Sequence, residues 1–170
     1  MKQSCDTYFY EIARKLGVDK LKVTADKFGL GKKVLGEYFE NEKPGQFPDT
    51  RWKINKLGKG WVLGETLITG IGQGYTQTTP IQLCLMTAQI ANGGYKITPK
   101  ILTDDNQLTS EQIKKAVLDS KLNNYYEPLY DDQRNIKIIQ ETMFSSTNEL
   151  RGTSYTVSYT HLRAHETLIY

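Results

Sequence analysis

The run "TPIQLCLMTAQI", Thr79 to Ile90, followed by Asn92-Gly93-Gly94, constrains the fold more than any other stretch. Thr79 can accept a hydrogen bond from a first-turn amide, Pro80 lacks only an N–H that a first-turn residue leaves unpaired, and Gln82 can reach back to the start. Together they spell a complete helix N-terminus. The residues that follow are apolar on nearly every side, which predicts a central, buried helix. Asn92-Gly93-Gly94 supplies the stop. Downstream, "YKITPKIL" alternates enough for a strand, with Pro99 at an edge or strand end. That strand has no credible sheet partner elsewhere in the sequence.

The remaining signals are mostly helical. Phe9, Ile12, Ala13 and Leu16 fall at i, i+3, i+4 and i+7, and Gly17 follows as a stop. Ser4 and Asp6 stand before this helix, and as isolated residues both read as N-caps. Tyr8, Phe9 and Tyr10 read as packing residues. A second short helix is expected from Lys20 to Phe28, ended by Gly29. From Leu30 to Thr69 the chain turns rich in glycine, proline and charge, which predicts an extended loop with short strands at most. A loop of that length inside a compact domain tends to be functional. A further capping box at Thr109–Gln112, stapled by Leu108 and Ile113, predicts a helix to about Leu122. Another helix, around Arg134 to Phe144, carries Ile136, Ile139 and Met143 on one face. The fold class is therefore α+β, mostly helical with few strands.

Composition narrows the function classes. A net charge of +3 over 170 residues, with no basic run interleaved with aromatics, gives no case for nucleic acid. No apolar run approaches the roughly 18–20 residues that a membrane span requires. Nor does "MKQSCDTYF" contain the apolar core of a secretion signal. Cys5 and Cys84, the two cysteines, make no metal-ligand pattern and are expected as buried thiols rather than a disulfide. "GIGQGYT" contains part of a dinucleotide fingerprint, but no apolar strand precedes it and the helix begins too late to receive a phosphate. Gly70, Gly72 and Gly74 are expected to let the backbone turn tightly. His161 and His165 have the spacing of two ligands on one helix face, but two histidines alone rarely make a site. Neither a metal nor a cofactor is expected.

Those histidines lie in "VSYTHLRAHET", Val157 to Thr167, which resembles one reading frame of a transposon-based sequencing adapter. Residues 157–170 are accordingly read as a foreign tail, and residues 1–156 as the domain proper.

Within 1–156, "SCDTYFYEIARKLG", "FGLGKK", "PGQFPDTRWK", "GW" followed by "GET", and "GIGQGYTQTTPIQLCLMTAQIANGGYKITPKI" occur in order. The set resembles the class B penicillin-binding proteins, and among them the elongation-specific penicillin-binding protein two type. The resemblance implies an incomplete penicillin-binding/β-lactamase-like transpeptidase fold, of which 1–156 is the central part. In that family the site carries three motifs, S-x-x-K, S-x-N (or S-x-D) and K-T-G. Ser4-Cys5-Asp6 corresponds to the second. By resemblance Ser4 and Asp6 are catalytic residues: the Ser4 hydroxyl relays protons, and Asp6 hydrogen-bonds the nucleophile's lysine and the substrate amide.

The implied reaction is D,D-transpeptidation. A serine attacks the D-Ala-D-Ala amide of a peptidoglycan stem peptide, D-alanine leaves, and a neighbouring amine resolves the acyl-enzyme. β-Lactams would occupy the same site. The resemblance also implies the periplasmic face of a bacterial inner membrane, with elongation-complex membrane proteins such as a glycosyltransferase as partners. The sequence departs from the family in holding neither S-x-x-K nor K-T-G. Arg151-Gly152-Thr153-Ser154 resembles instead the Gly-Thr segment that precedes K-T-G. This chain alone is therefore expected to be inactive, the piece of an enzyme that lacks its nucleophile. A serine β-lactamase-like fragment and a non-catalytic interaction module of the same fold are the alternatives.

Overall fold

The computed structural model describes residues 2–36, 39–99, 111, 115 and 127–155. Among these, six helices carry the architecture: α1 (Asp6–Leu16), α2 (Val18–Lys27), α3 (Thr50–Leu57), α4 (Leu63–Thr69), α5 (Pro80–Ala91) and α6 (Arg134–Asn148). Extended pairing is confined to two antiparallel bridges, Gln46 with Gln77 and Tyr95 with Pro128. None of the described helices is long and apolar enough to cross a membrane. A mostly helical α+β arrangement with few strands is what the sequence predicts.

The first helix ends where expected. Gly17, at φ 79°, donates its N–H to the Ala13 carbonyl at 2.8 Å and turns the chain directly into α2. The start is different from expectation: the N-cap is Cys5, and no side chain caps the helix. Asp6 is instead the first helical residue, where a negative charge still complements the helix dipole. The second helix runs from Val18 to Lys27, close to the predicted span.

The stretch 30–69, read as loop, contains α3 and α4, and the reason is local capping. Asp49 accepts from the Trp52 N–H at 2.6 Å, and the Glu65 carboxylate accepts from the Val62 N–H at 3.0 Å. Each helix is too short to show a convincing apolar period, so tertiary bonds carry them. Asp19 accepts from both the N–H and the hydroxyl of Thr50 at 3.0 Å, which ties α2 to α3. Lys53 of α3 pairs with Glu65 of α4, and only 6% and 14% of these side chains are exposed.

The α5 start forms as the sequence spells it. Thr79 accepts from the Gln82 N–H at 3.4 Å, and Gln82 Oε1 accepts from the Thr79 N–H at 3.0 Å. Burial along α5 departs from prediction, because only the row Gln82, Leu85 and Gln89 is buried, whereas Leu83 and Cys84 are exposed. The two glutamines are buried because they satisfy loop backbone. Gln82 Nε2 donates to the carbonyls of Lys32 (2.7 Å) and Pro44 (2.8 Å). Gln89 Nε2 donates to Phe28 O, and its Oε1 accepts from the Ile97 N–H, both at 3.2 Å. Cys5 is exposed like Cys84, so neither thiol is buried as expected.

The apolar core comprises Ala13, Val18, Ala25, Phe28, Leu30, Leu85 and Ile136. Residues after Gly94 find a partner inside the chain, against expectation: the Lys96 N–H donates to Glu127 O at 2.9 Å and the Leu129 N–H to Gly94 O at 2.8 Å. The α6 helix runs four residues past the predicted end, with Ile136 buried and Met143 exposed. The capping box at 109–112 and the tail 157–170, including both histidines, lie outside the described residues.

Candidate active site

Ser4 and Asp6 lie on either side of the α1 N-cap, and both line one open cleft. Its volume is about 330 Å³, and its other lining residues are Phe9, Gly70 and Ile71. Helix α1 supplies one wall. The opposite wall comes from the end of α4, the helix that packs most closely on α1.

That closeness depends on Gly70. A Cβ placed there would lie 2.4 Å from Ala13 Cβ and 3.4 Å from Phe9 O. Gly70 has an ordinary helical φ of −62°, so it is required for space and not for a tight turn as expected. Gly72 and Gly74 do adopt positive φ, 75° and 78°, and turn the chain away beyond the cleft.

The chemistry of the lining is limited and specific. Among the described residues that line it, Asp6 is the one ionisable side chain and Ser4 the one hydroxyl. Among the described residues neither group has an internal hydrogen-bond partner, so both are open to a ligand or to a group from outside. Among the described residues no lysine or imidazole lines the cleft, so none of them can serve Ser4 as a strong base. What the pair can do is hold a ligand amide, steady an ammonium, and pass a proton supplied by another group.

Between them, Cys5 points elsewhere. Its Sγ lies 3.3 Å from Thr7 Oγ1, and its carbonyl receives the N–H groups of Tyr8 (3.1 Å) and Phe9 (3.3 Å). The Thr7 hydroxyl, followed by the backbone N–H of Tyr8, holds this exposed thiol below the ordinary cysteine range.

The approach to Ser4 is fastened by residues from the other end of the described chain. The Ser4 N–H donates to Thr153 Oγ1 at 2.8 Å, and the Thr153 N–H donates to Lys2 O at 3.2 Å. The Lys2 ammonium meets the Glu149 carboxylate at 2.6 Å, and Lys2 with Ser145 holds that carboxyl below the usual range.

The two predicted site residues are thus brought together, and the Gly-Thr segment at 151–154 lies beside them. Sequence reasoning missed Phe9, Ile71 and Thr153 as neighbours of the site, and placed Gly70 behind it only as a turn residue. Phe9 was readable only as a core residue of α1; it is half-buried and stacks edge-on with Tyr8, ring centres 5.4 Å apart. Nothing local in the sequence signals that residue 70 or 153 returns to residue 4.

Comparison with known proteins adds the lineage. Residues 1–160 match the penicillin binding protein transpeptidase domain. The peptidoglycan D,D-transpeptidase MrdA of Acinetobacter baumannii is 36% identical over 120 residues, 71% of this chain and 18% of that protein. MrdA of Salmonella typhimurium is 28% identical over 161 residues, 94% of this chain and 25% of that protein. The chain therefore spans a quarter or less of the length of these relatives. Among solved structures, Pseudomonas aeruginosa PBP2 in complex with WCK 5153 aligns with TM-score 0.70 and 35% identity, covering 91% of this chain and 33% of that one. Helicobacter pylori PBP2, in its complex with MreC, aligns with TM-score 0.72 and 29% identity, covering 94% and 27%.

Proposed function

This chain belongs to the penicillin-binding protein transpeptidase domain family, and from that membership we propose that it forms the central part of a peptidoglycan D,D-transpeptidase, with Ser4 and Asp6 as catalytic residues of the second active-site motif. The observation that carries this reading is the cleft shared by Ser4, Asp6, Phe9, Gly70 and Ile71. A pair of helix-capping residues has no need of a cleft, and here neither side chain caps α1.

In the complete protein the nucleophilic serine, its lysine and the K-T-G strand come from sequence outside this chain. The nucleophile's oxygen bonds to the carbonyl carbon of the D-Ala-D-Ala amide as its proton passes to the lysine. The C–N bond then breaks, and D-alanine leaves with a proton delivered through the Ser4 hydroxyl. The amine of a neighbouring stem peptide attacks the ester, gives up a proton, and restores the serine hydroxyl. Asp6 hydrogen-bonds the lysine ammonium and the stem-peptide amide, a charge-assisted contact in the first case. β-Lactams acylate the same serine. The domain proper is read as residues 1–156, with 157–170 foreign to it; the family match runs to residue 160, past that boundary.

The complex of the Helicobacter relative with MreC supports a membrane-associated elongation assembly as the setting, with a glycosyltransferase as a further partner. The corresponding place is the periplasmic face of the inner membrane.

Two measurements test the reading. Long-read sequencing across the locus is expected to place S-x-x-K upstream of Met1 and K-T-G in place of the Val157 tail. The full-length protein is then labelled with a fluorescent penicillin, alone and as Ser4→Ala and Asp6→Asn. Stable labelling that both substitutions slow by about 100-fold, the lower range for a proton-transfer group, is the expected result. Labelling that is indifferent to both would remove Ser4 and Asp6 from the site. Fast deacylation would instead mark a β-lactamase.

A further inference from the structure

The position of Ser4 is set by a residue that does not line the cleft. Thr153 Oγ1 accepts the Ser4 N–H at 2.8 Å, the Thr153 N–H donates to Lys2 O at 3.2 Å, and the Thr153 hydroxyl approaches that same carbonyl at 3.5 Å. One threonine therefore grips both polar groups on one edge of the Lys2–Ser4 backbone. Its own segment is held in turn. The Ser154 N–H donates to Ser146 O of α6 at 3.1 Å, and a Cβ at Gly152 would lie 2.3 Å from that same oxygen. Arg151 is the one described non-glycine residue with positive φ, 66°, a conformation that persists only where its surroundings impose it.

We infer that Thr153 is a positioning residue for the transfer reaction: its hydroxyl fixes the Ser4 backbone, and with it the place of the Ser4 side chain in the cleft. This rests on the reading of Ser4 as a proton relay. The physical case is that the Ser4 end of α1 has no side-chain cap to order it. The Ser4 N–H is exposed enough for water to replace the Thr153 hydroxyl, so losing that bond costs the fold little but frees the approach to move. A relay tolerates little movement, because displacement of a reacting group by about 1 Å can cost 100-fold in rate.

The test uses the full-length protein and stopped-flow acylation by a fluorescent penicillin, which separates the Kd of the first complex from the acylation rate constant. Thr153→Val keeps the shape and removes the acceptor, and Thr153→Ser keeps the acceptor. Thr153→Val is expected to lower the acylation rate constant by about 10- to 100-fold, with Kd and melting temperature unchanged. Thr153→Ser is expected to acylate at close to the wild-type rate. In the Ser4→Ala background Thr153→Val should add almost nothing, since it acts through Ser4.

Wild-type acylation by Thr153→Val, an effect confined to Kd, or effects that multiply fully in the double variant would each overturn the inference. So would slow acylation by both Thr153 variants with a lowered melting temperature, the mark of a residue needed only for folding. If Ser4→Ala itself acylates normally, the failure belongs to the proposed role of Ser4 and is recognised as such.

Discussion

Substituting alanine for Gly70 puts one methyl group where α1 and α4 meet. The new carbon would lie 2.4 Å from Ala13 Cβ, a residue only 1% exposed and so without room to withdraw. Carbon atoms settle at about 3.5–4.0 Å, so the two helices must part by roughly 1 Å or more at this point. Overpacking of this kind costs about 1–3 kcal/mol. Against it stands the entropy that alanine removes from the unfolded chain, about 0.4–1 kcal/mol, available because φ at this position is already helical. The clash is the larger effect, and Gly70→Ala is expected to lose about 1–2 kcal/mol. In urea unfolding followed by circular dichroism that lowers the midpoint by about 0.5–1 M, for a slope near 2 kcal/mol/M. Gly64, in the α4 helix that Gly70 ends and with nothing within 4 Å of its would-be Cβ, is the control. Its alanine variant should be neutral or slightly stabilised. Ala13→Gly, though destabilising alone, should relieve the clash and couple favourably to Gly70→Ala. A Gly70→Ala protein as stable as wild type, or one showing no coupling to Ala13→Gly, would refute the reasoning.

The buried Lys53–Glu65 pair offers a second test. Lys53→Met leaves Glu65 uncompensated and should cost about 3–5 kcal/mol, whereas the Lys53→Met, Glu65→Gln double variant should recover much of the loss. The pair also sets an acid limb. Burial pushes the Glu65 carboxyl up, but the Lys53 hydrogen bond, the Val62 N–H, the Lys53 charge and Tyr75 outweigh it and hold it below the ordinary range. Its contribution is therefore fully present above the unfolded value of about 4.3 and is lost as pH falls through the lower folded value. Melting temperature against pH should fall less steeply over that range for Glu65→Gln; an unchanged slope would count against the pairing. Finally, the exposed Cys5 thiol should alkylate with a pH midpoint below the ordinary value of about 8.5, read by mass spectrometry, and Thr7→Ala should raise that midpoint.

Much of this molecule is legible wherever the instruction is local. The α5 start is written in three residues, Thr79, Pro80 and Gln82, and it forms as written. Gly17 and Gly29 mark real turns because only glycine takes those backbone angles cheaply. The errors lie where distant chain decides. The α3 and α4 helices are brief and poorly periodic, held by Asp19 and by the Lys53–Glu65 pair, partners that no window of sequence reveals. The α5 helix looks uniformly buried because hydropathy misses the work of two glutamines, which bury themselves by satisfying loop carbonyls while Leu83 faces outward. For the site, Ser4 and Asp6 were readable only through the ordered resemblance downstream. By themselves they spelled caps, and the chain does not use them so.

The clasp between Ser4 and Thr153 joins residues 149 positions apart, which gives the cleft a history as well as a shape. During synthesis at about 5–20 residues per second, Ser4 leaves the ribosome roughly 7–30 s before the threonine that holds it. Helix α1 can wind and meet α4 in that interval, since both lie within the first 69 residues. The approach to Ser4 cannot set until α6 has docked and the segment that follows it has delivered Thr153. Contacts that close so long a loop are slow to form, and this one is exposed, so it is also among the first to open. Ser4 is thus translated well before Thr153 but set only after it, and a chain interrupted between the two carries the residues of the site without its geometry.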